Sequence, residues 1–240
     1  MVALALISAA YILQADFNRR GMKADAFYMV TISGLSGIVG SKLYLMIDDP
    51  PAFFADPWAI LLNRYGFVWF GGFLGGIAAL LLLGRRAKLP LLKFLDACSP
   101  AASFGYGIGR IGCFLSGDGD YGKPTSLPWG MSFPNGVVPT LERVHPTPIY
   151  EFLAWCAIGA FLWHMGTKVL NGAKSKGSSG EIFGTYLILT GIARFLVEII
   201  RINPPWILGM TNAQVVSLAC ILAGAAVLWR IKGQFHALKK

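Results

Sequence analysis

The sequence predicts an all-α polytopic membrane protein with about seven transmembrane helices, and three observations predict it. Hydrophobic residues make up 55% of the 240 positions and charged residues only 14%, where an ordinary soluble domain carries about 25% charged. Mean hydropathy is +0.58. The apolar residues also fall into discrete runs, with basic residues gathered at alternate ends of them.

The runs cover residues 2–15, 26–47, 58–83, 94–115, 149–166, 182–200 and 213–231. The first is shorter than the roughly 20 residues needed to cross the hydrocarbon core. It has no basic stretch before it and its charges come after it, so a genuine, or N-terminally shortened, first span is expected instead of a cleavable leader. No linker or composition shift divides the chain, and a single transmembrane domain over 1–240 is expected. The long segment 116–148 is rich in Gly, Pro and aromatics and is expected to form an external cap at the membrane surface. Residues 173–180, AKSKGSSG, read as a flexible cytoplasmic loop. No internal repeat of the inverted-transporter kind is present.

The formal net charge of +9 is an orientation signal and not a nucleic-acid footprint. Arg19, Arg20 and Lys23 follow the first run; Arg85, Arg86, Lys88 and Lys93 follow the third. Lys168, Lys174 and Lys176 follow the fifth, and Arg230, Lys232, Lys239 and Lys240 follow the seventh. The intervening loops hold only Arg64, Lys123, Arg143 and Arg201. Fourteen basic residues against four place the N-terminus outside and the C-terminus in the cytoplasm, with the basic side also in contact with anionic lipid.

Cys98, Cys113, Cys156 and Cys220 lie within or beside apolar runs without CxxC spacing, so neither a disulfide framework nor a zinc site is indicated. No cluster of His, Cys and carboxylates has ligand spacing, and no metal or other cofactor is expected.

Glycines separate into two groups. Gly34, Gly37 and Gly40 in the second run, and Gly71, Gly72, Gly75 and Gly76 in the third, have the small-xxx-small spacing that lets helix backbones approach closely. The denser set Gly105, Gly107, Gly109, Gly112, Gly117, Gly119 and Gly122 weakens a helix by up to about 1 kcal/mol per residue relative to Ala. A broken helix whose amides face an anion is the expectation there.

The charges inside the runs carry the chemistry. An ionised residue at bilayer depth costs about 2.5–3.5 kcal/mol on insertion scales and marks a functional site by default. Arg110 is one such residue, with Asp118 or Glu151 as candidate partner. Arg194, Glu198 and Arg201 are spaced i, i+4 and i+7, which puts them on one helix face. Arg201, near the outer end, either joins them or snorkels to the interface. Asp120 reads as turn chemistry, an Asp after a Gly. His145 is a general base or a hydrogen-bonded strut. Glu151, one turn into the fifth run, needs a cation. Two guanidiniums near carboxylates suggest a site for an anionic lipid head group, because their planar forks hold phosphate oxygens and stay charged.

Several stretches resemble the bacterial phosphatidylglycerol–prolipoprotein diacylglyceryl transferases. Gly40-Ser41-Lys42-Leu43-Tyr44 resembles that family's Gly-Gly-Arg element, and Gly71-Gly72-Phe73-Leu74-Gly75 its double-glycine span. Gly109-Arg110-Ile111-Gly112-Cys113-Phe114, with Gly117-Asp118 and Gly122, is similar to G-R-x-G-N-F-x-N-G-E-x-x-G. The stretch from His145-Pro146 to Tyr150-Glu151 resembles H-P-[ST]-x-x-Y-E, and Arg194 to Glu198 with Arg201 and Gln214 the later elements. Order and spacing together make the likeness specific.

The resemblance implies a seven-span inner-membrane enzyme whose active site faces outward. It would move diacylglyceryl from phosphatidylglycerol to the lipobox cysteine of a prolipoprotein, forming a thioether and releasing glycerol phosphate. It implies catalytic roles for Arg110, Arg194, Asp118, Glu198 and His145. Lipid contacts are implied for Arg110, Arg194, Arg201, Gly109, Gly112, Gly117, Gly71, Gly72, Tyr150 and Glu151. This chain departs from the pattern at Phe70 (histidine in the family), Cys113 and Ser116 (asparagines), Asp118 (glutamate), Thr190 (tyrosine) and one extra residue before Gly122. Phe70 cannot act as a base: either Asp118, Glu198 or His145 takes that role, or proton removal is less demanding, or the activity differs. Two other readings stand beside this one: the same lipid with another acceptor, and a non-catalytic lipid-binding protein. No motif speaks to oligomeric state.

Overall fold

The computed structural model describes residues 1–48, 50–56, 58, 69–171 and 179–237. Residues 59–68 of the expected third span, with Arg64, lie outside the described residues, as do Lys174 and Lys176 of the expected cytoplasmic loop and the terminal Lys239 and Lys240.

Every apolar run yields a helix. These are α1 (Val2–Arg19), α2 (Ala26–Asp48), the short α3 (Pro50–Ala55), α4 (Trp69–Arg86), α5 (Leu91–Ser116), α6 (Thr147–Asn171), α7 (Glu181–Ile199) and α8 (Asn212–Ala237). Between α5 and α6, β1 (Met131–Phe133) and β2 (Thr140–Val144) pair antiparallel, Met131 opposite Val144 and Phe133 opposite Thr140. The expected external segment is thus a small β-hairpin on a helical protein. Among the described residues, Ala26–Ile47, Thr147–Leu170, Glu181–Ile199 and Asn212–Gly233 are long and apolar enough to cross a membrane. The chain is a membrane protein.

Two compact units are distinguished, Gln14–Leu91 and a second made of Met1–Leu13 with Leu92–Lys240. In the first, the glycines pack helices as their spacing predicts. A Cβ on Gly37 would lie 3.1 Å from the carbonyl oxygen of Gly72, and one on Gly76 would lie 3.3 Å from that of Ser33. Gly71 is buried against Gly40, so both glycines of the double-glycine element face α2. The buried Asp16 carboxylate accepts from Arg19 Nε at 2.7 Å and Arg20 Nε at 2.5 Å, fixing the basic end of α1.

In the second unit, α7 and α8 also meet through small residues: a Cβ on Gly191 would lie 2.8 Å from Ser217 O. The start of α7 is capped from another helix. Asp96, 2% exposed, accepts the backbone N–H of Gly180 at 2.7 Å and of Phe183 at 2.8 Å, placing a carboxylate on the positive end of the helix dipole.

The glycine-dense stretch is corrected by the structure. α5 runs unbroken through Gly105, Gly107, Gly109 and Gly112, so no exposed amides are freed there. Close packing explains Gly105, Gly107 and Gly112 instead. A Cβ on Gly105 would sit 3.3 Å from Ala9 Cβ on α1, and one on Gly107 would sit 3.2 Å from Phe152 O on α6. Within this stretch, glycine's freedom of φ is used only beyond Ser116, with Gly117 at +56° and Gly119 at +88°.

Candidate functional site

α5 presents Tyr106, Arg110 and Cys113 on one face, by the same i, i+4, i+7 spacing that α7 uses for Arg194 and Glu198. Helix α6 opens with Thr147-Pro148, a proline tolerated in the first turn where its missing N–H has no helical partner anyway. That places Glu151 one turn inside. Beyond the end of α7, Arg201 pairs as an isolated β-bridge with Gly122, so the backbone holds the loop after α5 against the end of α7. Gly122 is needed for this approach: a Cβ there would lie 2.7 Å from Ile200 O and 2.9 Å from His145 Cβ.

Three guanidiniums and three carboxylates meet in this corner. Arg110 Nη2 lies 2.5 Å from Glu151 Oε2 and its Nη1 lies 2.5 Å from Asp120 Oδ2. Arg194 Nη1 lies 2.7 Å from Glu151 Oε1 and its Nη2 lies 2.9 Å from Glu198 Oε2. Arg201 pairs with the other oxygen of Asp120 and lies 3.5 Å from Glu151 and 3.7 Å from Glu198. Formal charge within the cluster therefore balances.

Glu151 is the centre, with no solvent exposure and a further hydrogen bond of 2.9 Å from the Tyr106 hydroxyl. Glu198 accepts from Asn203 Nδ2 at 2.6 Å and Thr211 Oγ1 at 2.9 Å. Yet Arg110 Nε and Nη2 and Arg201 Nε are buried without a hydrogen-bond acceptor. The short Arg110 Nη2–Glu151 contact is ionic without hydrogen-bond alignment. Buried guanidinium N–H groups of this kind are costly unless matched.

Arg110 takes Glu151 and Asp120, not Asp118. Asp118 is exposed, and its Oδ1 accepts the backbone N–H of Asp120 at 3.3 Å, an Asx turn. Asp120, expected to be ordinary turn chemistry, is the acid that pairs with both Arg110 and Arg201. Burial works to raise the Asp120 pKa, but Arg110 and Arg201 outweigh it and hold the carboxyl below the usual carboxylate range. Arg201 is 7% exposed and joins the cluster, so it does not snorkel.

His145 and Tyr150 face one another, Nδ1 to hydroxyl at 3.2 Å, while Trp129 Nε1 donates to the same hydroxyl at 2.7 Å. Gly112 abuts Met1 and Gly109 faces open space. Gly71 and Gly72 belong to the other compact unit. Thr190 bonds back to the Tyr186 carbonyl of its own helix at 2.7 Å. Sequence reasoning passed over Tyr106, Asn203 and Thr211. Of these only Tyr106 carried a signal, standing one helical turn before Arg110.

Cys113 Sγ and one carboxylate oxygen each of Asp118 and Asp120 lie within 4.8 Å of one another. Arg110 Nη1 is 3.3 Å from that sulfur, and Asp120 is bound to two arginines, so a cation there would face positive charge. A cavity of about 600 Å³ lies instead beside the hairpin, lined by Phe114, Leu115, Met131, Phe133 and Arg143 among others. Its walls include none of the six clustered charges.

A family model described as prolipoprotein diacylglyceryl transferase matches residues 1–230. The chain belongs to that family. Among its relatives is a phosphatidylglycerol–prolipoprotein diacylglyceryl transferase of Clostridium tetani, 33% identical, over 95% of this chain and 89% of the relative. One of Solidesulfovibrio magneticus is 34% identical over 84% of this chain and 76% of the relative. A third, numbered 2, from Clostridium perfringens is 30% identical over 96% and 88%.

Proposed function

We propose that this chain transfers the diacylglyceryl group of phosphatidylglycerol to the lipobox cysteine of a prolipoprotein, at the outer face of the bacterial inner membrane. The observation that carries the reading is the convergence of Arg110, Arg194 and Arg201 on Glu151, in a chain whose relatives are named for this transfer. The charge asymmetry of the loops supports the N-out orientation, which puts the cluster's end of α7 toward the outside.

In the reaction the thiol sulfur forms a C–S bond to the glyceryl carbon. The C–O bond to phosphorus's oxygen breaks, its electron pair goes to that oxygen, and glycerol phosphate leaves. Arg110 and Arg201 offer unmatched donors to the phosphate, and Arg194 adds charge beside them. Preorganised donors aimed at developing negative charge are the largest single contribution in most enzymes. Glu151 holds the three guanidiniums at a fixed spacing. Gly109, with nothing within 4 Å of a Cβ there, leaves room for lipid on α5, while Gly117 turns the loop that carries Asp120.

A thiol is only slightly ionised at neutral pH, so its proton needs an acceptor. Glu198 is engaged by Arg194, Asn203 and Thr211, and Asp118 caps a turn. His145, paired with Tyr150 and partly exposed, is the side chain left to take the proton in place of the residue replaced by Phe70.

The test is incubation of the purified protein in phosphatidylglycerol membranes with a lipobox peptide, read by mass spectrometry. A diacylglyceryl mass gain that falls about 10²–10³-fold in Arg194→Ala is the expected result. No gain from folded, lipid-loaded protein would overturn the reading.

A further inference from the structure

The segment 202–211 joins α7 to α8 and reads INPPWILGMT, without one charged residue. Its apolar side chains point outward: Trp206 is 66% exposed and Leu208 90%. Ile202 and Ile207 are about half exposed. Exposed apolar patches on this scale mark a partner surface.

The exposure is built in. Trp206 N donates to Met210 O at 2.7 Å and Met210 N to Ile207 O at 2.9 Å, closing a two-residue hairpin turn at Leu208-Gly209. Both turn residues have positive φ, Leu208 at +52° and Gly209 at +73°. Such turns favour Asn or Asp before the glycine. A leucine there is disfavoured both by its backbone conformation and by contact with water. The two feet of the same loop are polar and anchored, since Asn203 and Thr211 both donate to Glu198 Oε1.

We propose that the 202–211 loop inserts its tip, Trp206 to Leu208, into the headgroup–acyl boundary of the bilayer leaflet from which the site draws lipid. The loop joins two helices long and apolar enough to span a membrane, so it emerges where the interface lies. Tryptophan is enriched at that level. Because the tip is uncharged, its insertion is driven by apolar burial and does not depend on anionic lipid. The anchored feet then hold Glu198, and with it Arg194, at headgroup depth. The proposal rests on the membrane reading of the chain and not on the identity of the group transferred.

The experiment places a photoreactive benzophenone amino acid at position 208 of the full chain, reconstituted in phosphatidylcholine vesicles with or without phosphatidylglycerol. The same probe at position 222 on α8, where Leu222 is 70% exposed, serves as the bilayer-facing control. The expected result is lipid adducts at 208 with both vesicle compositions, found by mass spectrometry whether or not the protein turns over a peptide. Lipid adducts at 222 but none at 208 would overturn the proposal. So would adducts at 208 that form only to an added lipobox peptide, which would make the tip a peptide-docking element. As a second variant, Leu208→Asp is expected to raise the KM for vesicle phosphatidylglycerol several-fold while leaving turnover of a micellar short-chain analogue unchanged. An equal loss with both substrates would mean that the change disturbs the site and not its contact with the bilayer.

Discussion

Replacing Glu151 by Gln removes one negative charge and changes almost no volume. Glu151 contacts Arg110 at 2.5 Å, Arg194 at 2.7 Å and Arg201 at 3.5 Å, and accepts from Tyr106 at 2.9 Å. Its side chain has no solvent exposure, so water cannot take its place. The variant leaves three guanidiniums, Arg201 buried and Arg110 and Arg194 mostly so, with two carboxylates. Its amide N–H groups would also face guanidinium N–H groups. Breaking a buried pair while its partner stays charged costs about 3–5 kcal/mol.

Asp120→Asn removes the same charge from a side chain that is 30% exposed and bridges two arginines. Solvent screens that loss, and about 1–2 kcal/mol is expected. A chain of this length loses roughly 2–4 °C of Tm per kcal/mol. Thermal unfolding in detergent, followed by helical circular dichroism, should therefore place Glu151→Gln about 10 °C below the parent and Asp120→Asn only a few degrees below it. An equal or larger loss for Asp120→Asn would refute the assignment of Glu151 as the hub.

The depressed Asp120 carboxyl gives a pH signature. A group whose folded pKa lies below its unfolded value near 3.9 stabilises the protein above that value and loses this contribution as pH falls through the folded one. The Tm gap between the parent and Asp120→Asn is thus expected to be full at pH 6–7, to start shrinking below about pH 4 and to vanish only below the folded pKa; a gap that did not shrink on acidification would argue against the two arginines as its cause. Gly122→Ala is expected to cost about 1–3 kcal/mol, because its Cβ meets backbone at 2.7 Å. Gly109→Ala, with nothing within 4 Å, should instead fold as well as the parent or up to about 1 kcal/mol better. If it folds but turns over poorly, the space beside Gly109 is used by lipid. His145→Gln should slow transfer at neutral pH and steepen its rise with pH, as deprotonation of the thiol passes to solvent; an unchanged rate profile would remove His145 from proton transfer.

Periodicity and charge alone made the helices and much of the cluster legible. Each apolar run holds a helix, and apart from the third run, of which residues 59–68 lie outside the described residues, the helix ends fall within a few residues of the run, because burial of apolar surface is a property of composition. Arg194 and Glu198 could be paired from their i, i+4 spacing, which is local geometry. Glu151 could be assigned a cation because an isolated carboxylate inside an apolar helix is too costly.

What the sequence by itself could not determine were the contacts that depend on how distant segments meet. The continuity of α5 depends on α1 and α6 filling the space its glycines leave. The choice of Asp120 over Asp118 depends on two positive-φ glycines that turn one carboxylate inward and the other outward. Arg201 could snorkel or be buried on sequence grounds alone, and only its β-bridge to Gly122 buries it. Tertiary structure decided these points because each side chain had two local solutions of similar energy, and only long-range packing separates them.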